Sequence, residues 1–279
     1  MASETRWRWA LTWVAVIAMT PVMADAAPIA LGVEVPPDYL LTARHSDDFD
    51  TLAPELTAEG WFLFHALPPV DTRWMLLGKL GSYSMSLARG VWVGEDWVGI
   101  SYSVREVHQE DTWQSVSLSH LFHITIFPLG EWVHMALQVN SGGVVSAYFN
   151  GERLLGPAQL LRPMGRFDTP LYIGSVRAQR LGEAGFFAPD SSGTWVTLDG
   201  RVDNVRLSSV FRYAGDFKPS RTWPNDRDTL AFWRLDEPPT ARTLADSSGN
   251  GHTLRLFNSL PVPDIGSVAM LWGGIKSLR

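Results

Sequence analysis

The chain has 279 residues, of which 46% are hydrophobic and 19% are charged, a balance typical of a globular protein with one large or two modest domains. The formal net charge is −6, so no basic surface is indicated for binding nucleic acid or anionic lipid. There is no cysteine, which excludes disulfides, thiolate metal sites, a cysteine nucleophile and a lipoprotein-type lipid anchor.

The N-terminus has the pattern of a secretory signal peptide. Arg6 and Arg8 precede an apolar run at 10–19, and an A-D-A triplet follows that ends at Ala26. A basic start, a short apolar core and a small-residue site are typical of export with cleavage. A membrane anchor is the alternative, but the run is about half of the roughly 20 apolar residues that a spanning helix needs. We expect residues 1–26 to be a signal peptide, so that the mature protein is secreted, periplasmic or at the cell surface and is not an integral membrane protein.

The first hairpin that can be read along the mature chain lies at residues 91–103. A turn at Gly94–Glu95 would place Val93 opposite Asp96 and Trp92 opposite Trp97. One face of this hairpin would then carry Val91, Val93, Val98, Ile100 and Tyr102. The other face would carry Trp97, Gly99, Ser101 and Ser103.

Two tryptophans on the polar side of this hairpin predict a stacking platform for a sugar ring. Trp92 and Trp97 are therefore the candidate ligand-binding residues. Packing of both rings under a neighbouring loop is the alternative, because large aromatic side chains are usually buried.

Period-2 alternation predicts further strands at 115–126, 133–139 and 145–149. Turn-rich sequence at 140–143 separates the last two, and a tight Asn150–Gly151 turn follows, so one short strand lies between two turns. Turn signals recur at a spacing of roughly 8–12 residues, and no sustained 3.6-residue period is present in the mature chain. The pattern predicts an all-β protein of the sandwich or barrel class.

The segment 131–154 combines a W-x-H-x-A strand, a glycine turn and a strand that ends in Y-x-N-G, formed by Trp132, His134, Ala136, Tyr148, Asn150 and Gly151. It resembles the central hairpin of laminin-G-like modules of the concanavalin A-like lectin/glucanase superfamily. Further fragments resemble other strands of such modules in the expected order, among them 56–67, 170–175, 198–219 and 246–254. The resemblance covers roughly residues 38–258 and implies a jelly-roll sandwich of two curved antiparallel sheets.

One element departs from the family pattern. The DSSGNG sequence at 246–251 often opens such modules, yet here it comes last. Its strand either completes the same sandwich or begins a truncated second copy, and the first is favoured because too little chain follows for another core. We therefore expect one domain at 27–258 and a separate C-terminal tail at 259–279.

The carboxylate patterns of the superfamily's enzymes are not found in this sequence. Laminarinases of that superfamily use E-x-D-x-E or E-x-D-x-x-E on one strand, because retaining glycosidases need two carboxyl groups about 5–5.5 Å apart. The acidic stretches EVHQED (106–111) and HSDDFD (45–50) are interpreted as solvated loops. His120 and His123 lie three apart on a predicted strand and so face opposite sides, and His134 resembles a structural family position. No catalytic residue is predicted.

Calcium is the ion that the sequence favours. Many members of the resembled superfamily bind it, and Ca²⁺ takes six or more oxygen ligands. Asp246 and Asn250 offer oxygens at one turn, and Asp203 stands where the family has an acidic residue. The alternative is that Asp246 and Asn250 cap a turn and that Asp203 pairs with Arg206 or a backbone amide.

The sequence therefore predicts a secreted, non-catalytic binding module that recognises glycans or an extracellular protein. A polysaccharide hydrolase or lyase on the same scaffold is one alternative, and a structural or adhesive surface component is another. The fold alone does not choose among them, because one scaffold hosts many functions.

Overall fold

A computed structural model describes residues 32–34, 39–50, 55–92, 94–107, 113–154, 158–177, 195–238 and 240–258. The signal peptide predicted at 1–26 and the tail predicted at 259–279 lie outside these ranges. Within them there is no helix long and apolar enough to span a membrane. The prediction of an all-β protein is confirmed: a single 3₁₀ turn at Asp47–Asp50 accompanies the strands of the described segments.

The strands are β1 (Val33–Glu34), β2 (Tyr39–Ala43), β3 (Leu56–Phe64), β4 (Thr72–Lys79), β5 (Tyr83–Trp92), β6 (Glu95–Val107), β7 (Trp113–His123), β8 (Trp132–Val139), β9 (Val144–Phe149), β10 (Glu152–Arg153), β11 (Ala158–Gln159), β12 (Leu171–Ile173), β13 (Ser175–Arg177), β14 (Trp195–Thr197), β15 (Gly200–Ser208), β16 (Thr229–Trp233), β17 (Thr243–Leu244) and β18 (Leu254–Asn258). Their lengths range from two residues in β1 to 13 in β6.

Two antiparallel sheets form the jelly-roll sandwich. Sheet A has the order β1-β15-β3-β8-β9-β10, with β11 added to β9 and β16 added to β15. Sheet B has the order β17-β18-β2-β12-β4-β5-β6-β7, and β13 pairs with β14 separately. Strands that are distant in sequence are neighbours in both sheets, so the fold depends on long-range pairing.

Alternation along the strands builds one core between the sheets. On β8, Val133, Met135, Leu137 and Val139 face inward as predicted, and on β9 Val145, Ala147 and Phe149 do the same. Sheet B contributes inward side chains that are fully buried, including Leu87, Val98, Ile100 and Val104. Tyr102 crosses the core, and its hydroxyl donates a 2.8 Å hydrogen bond to the Tyr148 carbonyl of sheet A. That bond satisfies a polar group that burial would otherwise leave without water.

The β9–β10 turn forms at the predicted Asn150–Gly151 pair. Asn150 and Gly151 have φ values of 49° and 82°, as a two-residue hairpin turn with both residues in the left-handed region requires. The Asn150 side chain also accepts a hydrogen bond from the His134 backbone NH at 2.8 Å, and its own NH donates to the His134 carbonyl at 2.8 Å. The turn therefore fixes the start of β8 as well as the end of β9.

The predicted register of the β5–β6 hairpin is wrong by one residue on each strand. Trp92 pairs with Glu95, and Gly90 rather than Trp92 lies opposite Trp97. Gly94, which lies between the two strands, has a positive φ of 80°. Because both strands shift together, the alternation along each strand is unchanged, and Val98, Ile100 and Tyr102 face the core as predicted.

The DSSGNG segment belongs to the same sandwich. β18 pairs antiparallel with β2 from Leu254↔Ala43 to Asn258↔Tyr39, and β17 adds to its other edge. The strand that follows the segment thus extends sheet B, as the sequence favoured over a truncated second copy.

The interpretation of the two acidic stretches as solvated loops is wrong for Asp50 and Glu106, whereas Asp47 and Asp48 are exposed as expected and residues 108–111 lie outside the described ranges. Asp50 ends the 3₁₀ turn, is buried, and accepts a 2.5 Å hydrogen bond from the Lys79 ammonium. Glu106 lies in β6, is buried, and accepts hydrogen bonds from the backbone NH groups of Leu161 and Arg162. Each of these two carboxylates contacts a segment more than 25 residues away in the sequence, and the local sequence does not show such a contact.

Strand 115–126 was also predicted too long, since β7 ends at His123.

We predict that Gly151→Ala destabilises the protein far more than Gly94→Ala. Both glycines lie in two-residue turns at φ near 80°, so both variants bear the strain of a left-handed alanine, about 1–2 kcal/mol. A Cβ at residue 151 would also lie 1.9 Å from the Phe217 carbonyl oxygen, whereas one at residue 94 meets no atom within 4 Å. Urea unfolding should show an additional loss of about 1–3 kcal/mol for Gly151→Ala. Equal losses in the two variants would contradict this packing.

Candidate functional site

A segment that we call the strap, residues 209–228 between β15 and β16, covers the outer face of sheet A. The Phe217 NH donates to the Gly151 carbonyl at 2.9 Å, and the Trp61 indole NH donates to the Ser220 carbonyl at 3.1 Å. Thr57 donates to the Val210 carbonyl at 2.6 Å. Sheet A is therefore enclosed on both faces, by the core on one side and by the strap on the other.

A buried carboxylate, Glu59, lies beneath the strap. Its Oε1 accepts hydrogen bonds from Arg206 Nε at 2.9 Å and Nη2 at 2.6 Å, and its Oε2 accepts one from the Tyr213 hydroxyl at 2.6 Å. His134 Nε2 lies 3.2 Å from the same Oε2. Burial by itself raises the pKa of Glu59, but the hydrogen bonds and charges of His134 and Arg206 outweigh it, so this pKa lies below its ordinary value.

The Glu59 network is enclosed within the structure. Both Glu59 and His134 are fully buried, so a polymeric substrate cannot reach either side chain. Sequence reasoning missed Glu59, although an acid in the middle of a strand-like apolar stretch signals a buried partner. It identified His134 as structural, in agreement with this geometry.

Asp203, the first predicted calcium ligand, is buried in β15 beside a cation–π contact. Arg221 of the strap lies between two indole rings, with its guanidinium carbon 4.1 Å from the centroid of Trp61 and 4.6 Å from that of Trp132. Arg221 Nη1 lies 3.3 Å from Asp203 Oδ2. Burial raises the pKa of Asp203 to about 6, although Arg221 opposes the shift. The expected alternative partner of Asp203, Arg206, instead binds Glu59.

Asp246 and Asn250, the other predicted calcium ligands, tie their loop to β16. Asp246 accepts hydrogen bonds from Ser248 and from the backbone NH groups of Phe232 and His252, each between 2.8 and 2.9 Å. Burial raises the pKa of Asp246, but these hydrogen bonds outweigh it and lower the pKa. Asn250 donates its amide to two carbonyls of β16, Thr229 and Leu230.

The structure brings Asp246 and Asn250 to one loop and places the contacts of Asp203 elsewhere, on the strap. In the described ranges no group of three or more histidine, aspartate or glutamate side chains is close enough together to hold a metal ion. Calcium binding through Asp203, Asp246 and Asn250 stays a prediction.

The outer face of sheet B carries rows of hydroxyl groups, and we call this the serine face. Its serines lie at alternate positions of three adjacent strands: Ser84 and Ser86 on β5, Ser101 and Ser103 on β6, and Ser115, Ser117 and Ser119 on β7. Two cross-strand pairs are hydrogen-bonded, Ser101–Ser119 at 3.0 Å and Ser103–Ser117 at 2.9 Å. Ser117 and Ser119 are exposed, so the β6–β7 part of this face is open to solvent.

Trp97 stands at one end of the serine face. It lies between Gly90 of β5 and His123 of β7, and its ring meets the His123 ring edge-on at a centroid distance of 5.6 Å. A Cβ at Gly90 would meet no atom within 4 Å, so there is space on the β5 side of Trp97. Leu121, half exposed, lies against Gly99 next to it.

Trp97 lies on the predicted outer face of its strand, although its cross-strand neighbour is Gly90 rather than Trp92. Trp97 is half-buried and belongs to the same outward row as Gly99 and Ser101. The side chain of Trp92 lies outside the described part of the chain, and the backbone places position 92 two residues beyond Gly90 in β5. The alternation at 115–126 already put Ser115, Ser117 and Ser119 on one face of their strand, but sequence reasoning did not place that strand next to Trp97.

Comparisons with known proteins bear on the fold. No family model matches the chain, and no curated protein matches it. A candidate carbohydrate-binding protein from Bacteroides ovatus is similar in structure, with 16% identity and a TM-score of 0.51 over 81% of this chain. The matched region spans 59% of that protein.

Two other solved structures match with lower scores. A heptameric SAP-like pentraxin from Limulus polyphemus has 15% identity over 65% of this chain and 76% of its own, with a TM-score of 0.36. Domain 4 of an extracellular arabinanase from Geobacillus stearothermophilus, in complex with arabinotriose, has 17% identity over 55% of this chain and 60% of its own, with a TM-score of 0.30.

We predict that Asp203 makes the protein less stable as the pH rises from 4 to 7. The pKa of Asp203 is about 6 when folded and near 3.8 when unfolded, so between these values the folded state holds a proton that the unfolded state has released. The wild-type free energy of unfolding, minus that of Asp203→Asn, should fall by about 2 kcal/mol over this range. Urea unfolding at a series of pH values measures it. A difference that stays constant or rises with pH would contradict the assignment.

Proposed function

We propose that this protein is a non-catalytic binding module of the laminin-G-like kind that recognises a glycan with its serine face. The observation that carries the proposal is a half-buried tryptophan at the end of an open strip of small and hydroxyl-bearing side chains. Sugar rings have one apolar face and many hydroxyl groups, and this strip offers partners for both.

The serine face fits the requirements of saccharide recognition. Each serine hydroxyl can donate one hydrogen bond and accept two, so a pair such as Ser101–Ser119 retains free capacity. Gly90 leaves open space beside Trp97, because it carries no side chain that would separate a flat ligand from the sheet. Trp97 and Leu121 supply apolar contact at the same end.

The structure of sheet A supports binding rather than catalysis. Glu59, His134 and Tyr213 could serve as acid, base and donor in an enzyme, but Glu59 is bound by His134, Tyr213 and Arg206 beneath the strap. We therefore place ligand contact on sheet B. An extracellular protein is the alternative partner, and an adhesive or structural role is the alternative function.

Export remains part of the proposal and rests on the N-terminal pattern at 1–26. We propose that the mature protein works in the periplasm, at the cell surface or in the medium. N-terminal sequencing of the exported protein tests this directly: a mature chain that begins at residue 27 supports it, and a chain retained in the cytoplasm with Met1 intact contradicts it.

Calcium also remains a proposal, with Asp203, Asp246 and Asn250 as its residues. Bound calcium stabilises the state that binds it, so Tm should rise with added CaCl₂ and fall with EDTA. Asp246→Asn should remove this dependence. Identical melting with calcium and with EDTA, together with no metal by elemental analysis, would exclude the proposal.

We predict that Trp97→Ala weakens glycan binding by roughly fivefold, which corresponds to about 1 kcal/mol of lost stacking. The double variant Trp92→Ala/Trp97→Ala should lose retention on a polysaccharide affinity gel altogether. Trp97→Tyr, which keeps an aromatic ring, should retain most of the affinity. A glycan array, run with and without calcium, selects the polysaccharide used in the gel.

Leu161→Ala is the control for this experiment, because Leu161 is 80% exposed and lies outside the serine face. It should bind as the wild type does. Normal retention of the double tryptophan variant would refute the assignment of the site. Failure of the wild type to bind any glycan, together with co-purification of a protein, would favour the protein-binding alternative.

A further inference from the structure

Strand β7 forms one edge of sheet B and is 11 residues long. The strands at the other ends of the described sheets are much shorter. β17, at the opposite edge of sheet B, has two residues, and β1 and β10, at the two ends of sheet A, have two each. Short edge strands protect a protein from pairing with other chains, because they present few unpaired backbone groups. β7 does not have that protection.

Other common protections of an edge strand are also missing from β7. The sequence 113–123 contains no proline, lysine, arginine, aspartate or glutamate. Its pairing with β6 runs without a bulge from Trp97↔His123 to Val107↔Trp113. On the outer face of this edge the side chain of Leu121 is 50% exposed. A long, regular and uncharged edge with an exposed apolar side chain is a surface to which another strand can be added.

The backbone groups that point out from this edge belong to Ser117, Ser119 and Leu121. In an antiparallel pair, residues alternate between those that hydrogen-bond to the neighbouring strand and those whose N–H and C=O point away from it. Ile124 donates its N–H to the Asp96 carbonyl, so the even-numbered residues of β7 bond to β6 and the odd-numbered ones point outward. Within the described ranges, no backbone group bonds to the outward N–H and C=O groups of these three exposed residues.

A second copy of this chain is the partner that fits the edge. The net charge of −6 opposes contact between most surfaces of two copies, whereas two β7 strands bring no acidic or basic side chains opposite each other. The serines of β7 already form cross-strand hydroxyl pairs with β6, such as Ser101–Ser119 at 3.0 Å. Because a hydroxyl can donate one hydrogen bond and accept two, the same row can continue across a second β7.

We infer that two copies of this protein associate through antiparallel pairing of their β7 edges, with Ser119 of one copy opposite Ser119 of the other. Ser117 then lies opposite Leu121, and this is the register in which the three outward residues pair only with one another. The inference goes beyond the proposed function. The two-fold axis of this pair is perpendicular to the sheet, so both serine faces lie on the same side of one continuous sheet.

The mass of the purified protein, measured by light scattering after size exclusion, tests the association. A concentration series from about 1 to 100 μM is needed, because the pairing of two strands buries a small interface and such dimers are weak. The wild type should approach twice the monomer mass at the upper end and the monomer mass on dilution. A monomer at every concentration would overturn the inference.

Ser119→Pro should raise the dissociation constant of the dimer by about tenfold or more, because it removes the N–H of both copies at the centre of the pairing. In the monomer this N–H faces solvent, and proline is tolerated at such positions of an edge strand. Ser119→Ala is the matched control. It keeps the N–H and removes only the hydroxyl, so it should still form the dimer.

The register is tested by a single introduced thiol, because the chain has no cysteine. Ser119→Cys should form a disulfide-linked dimer on mild oxidation, since hydrogen-bonded residues opposite each other have Cα atoms about 5.5 Å apart, which a disulfide can span. Leu161→Cys is the matched control, because Leu161 is 80% exposed and lies outside β7. It should cross-link far more slowly.

The outcomes separate this inference from the proposed function. A dimer that persists undiminished in Ser119→Pro, or cross-linking at residue 119 no faster than at residue 161, would place the interface elsewhere and overturn the inference. If Tm measurements show that Ser119→Pro is unfolded, the comparison of the two cysteine variants decides. Glycan binding by a protein that stays monomeric would overturn the β7 pairing and leave the glycan module standing.

Discussion

Burial of sheet A on both faces is the constraint on which the rest of the structure depends. A strand with one wet face can place polar residues there freely, but the strap removes water from the outer face of β3, β8 and β15. Every polar side chain beneath it must then have a partner, because an unpaired buried charge costs several kcal/mol. Glu59 with Arg206, His134 and Tyr213 satisfies that condition, and Arg221 between Trp61 and Trp132 closes the strap over Asp203.

Because the strap encloses sheet A, the proposed ligand contact lies on sheet B. Its β6–β7 region keeps exposed serines, a half-buried tryptophan and an exposed leucine on one flat face. The inner face of the same strands supplies apolar side chains to the core, among them Val98, Ile100 and Leu118. Changes on the outer face can therefore alter binding with little effect on the core.

Local patterns predicted the strands well where one face is buried and the turn chemistry is strong. The Asn150–Gly151 turn was predicted because both residues must adopt positive φ, and the β8 and β9 alternation followed from the core. The β5–β6 register was missed because Gly94 fits either position of a two-residue turn, and sequence alone does not choose between them. Asp50 and Glu106 were missed because their partners, Lys79 and the backbone at 161–162, are remote in sequence.

By itself, the sequence determined the all-β class, the inward rows of β8 and β9, and the outward face of Trp97, because these follow from a period of two residues along a single strand. Only the tertiary structure decided which outward face is sealed and which is open. It also left β7 at an edge of sheet B, and it separated Asp203 from Asp246. These outcomes depend on where the strap crosses and on which distant strands pair, and both are properties of the assembled sheets rather than of any local segment.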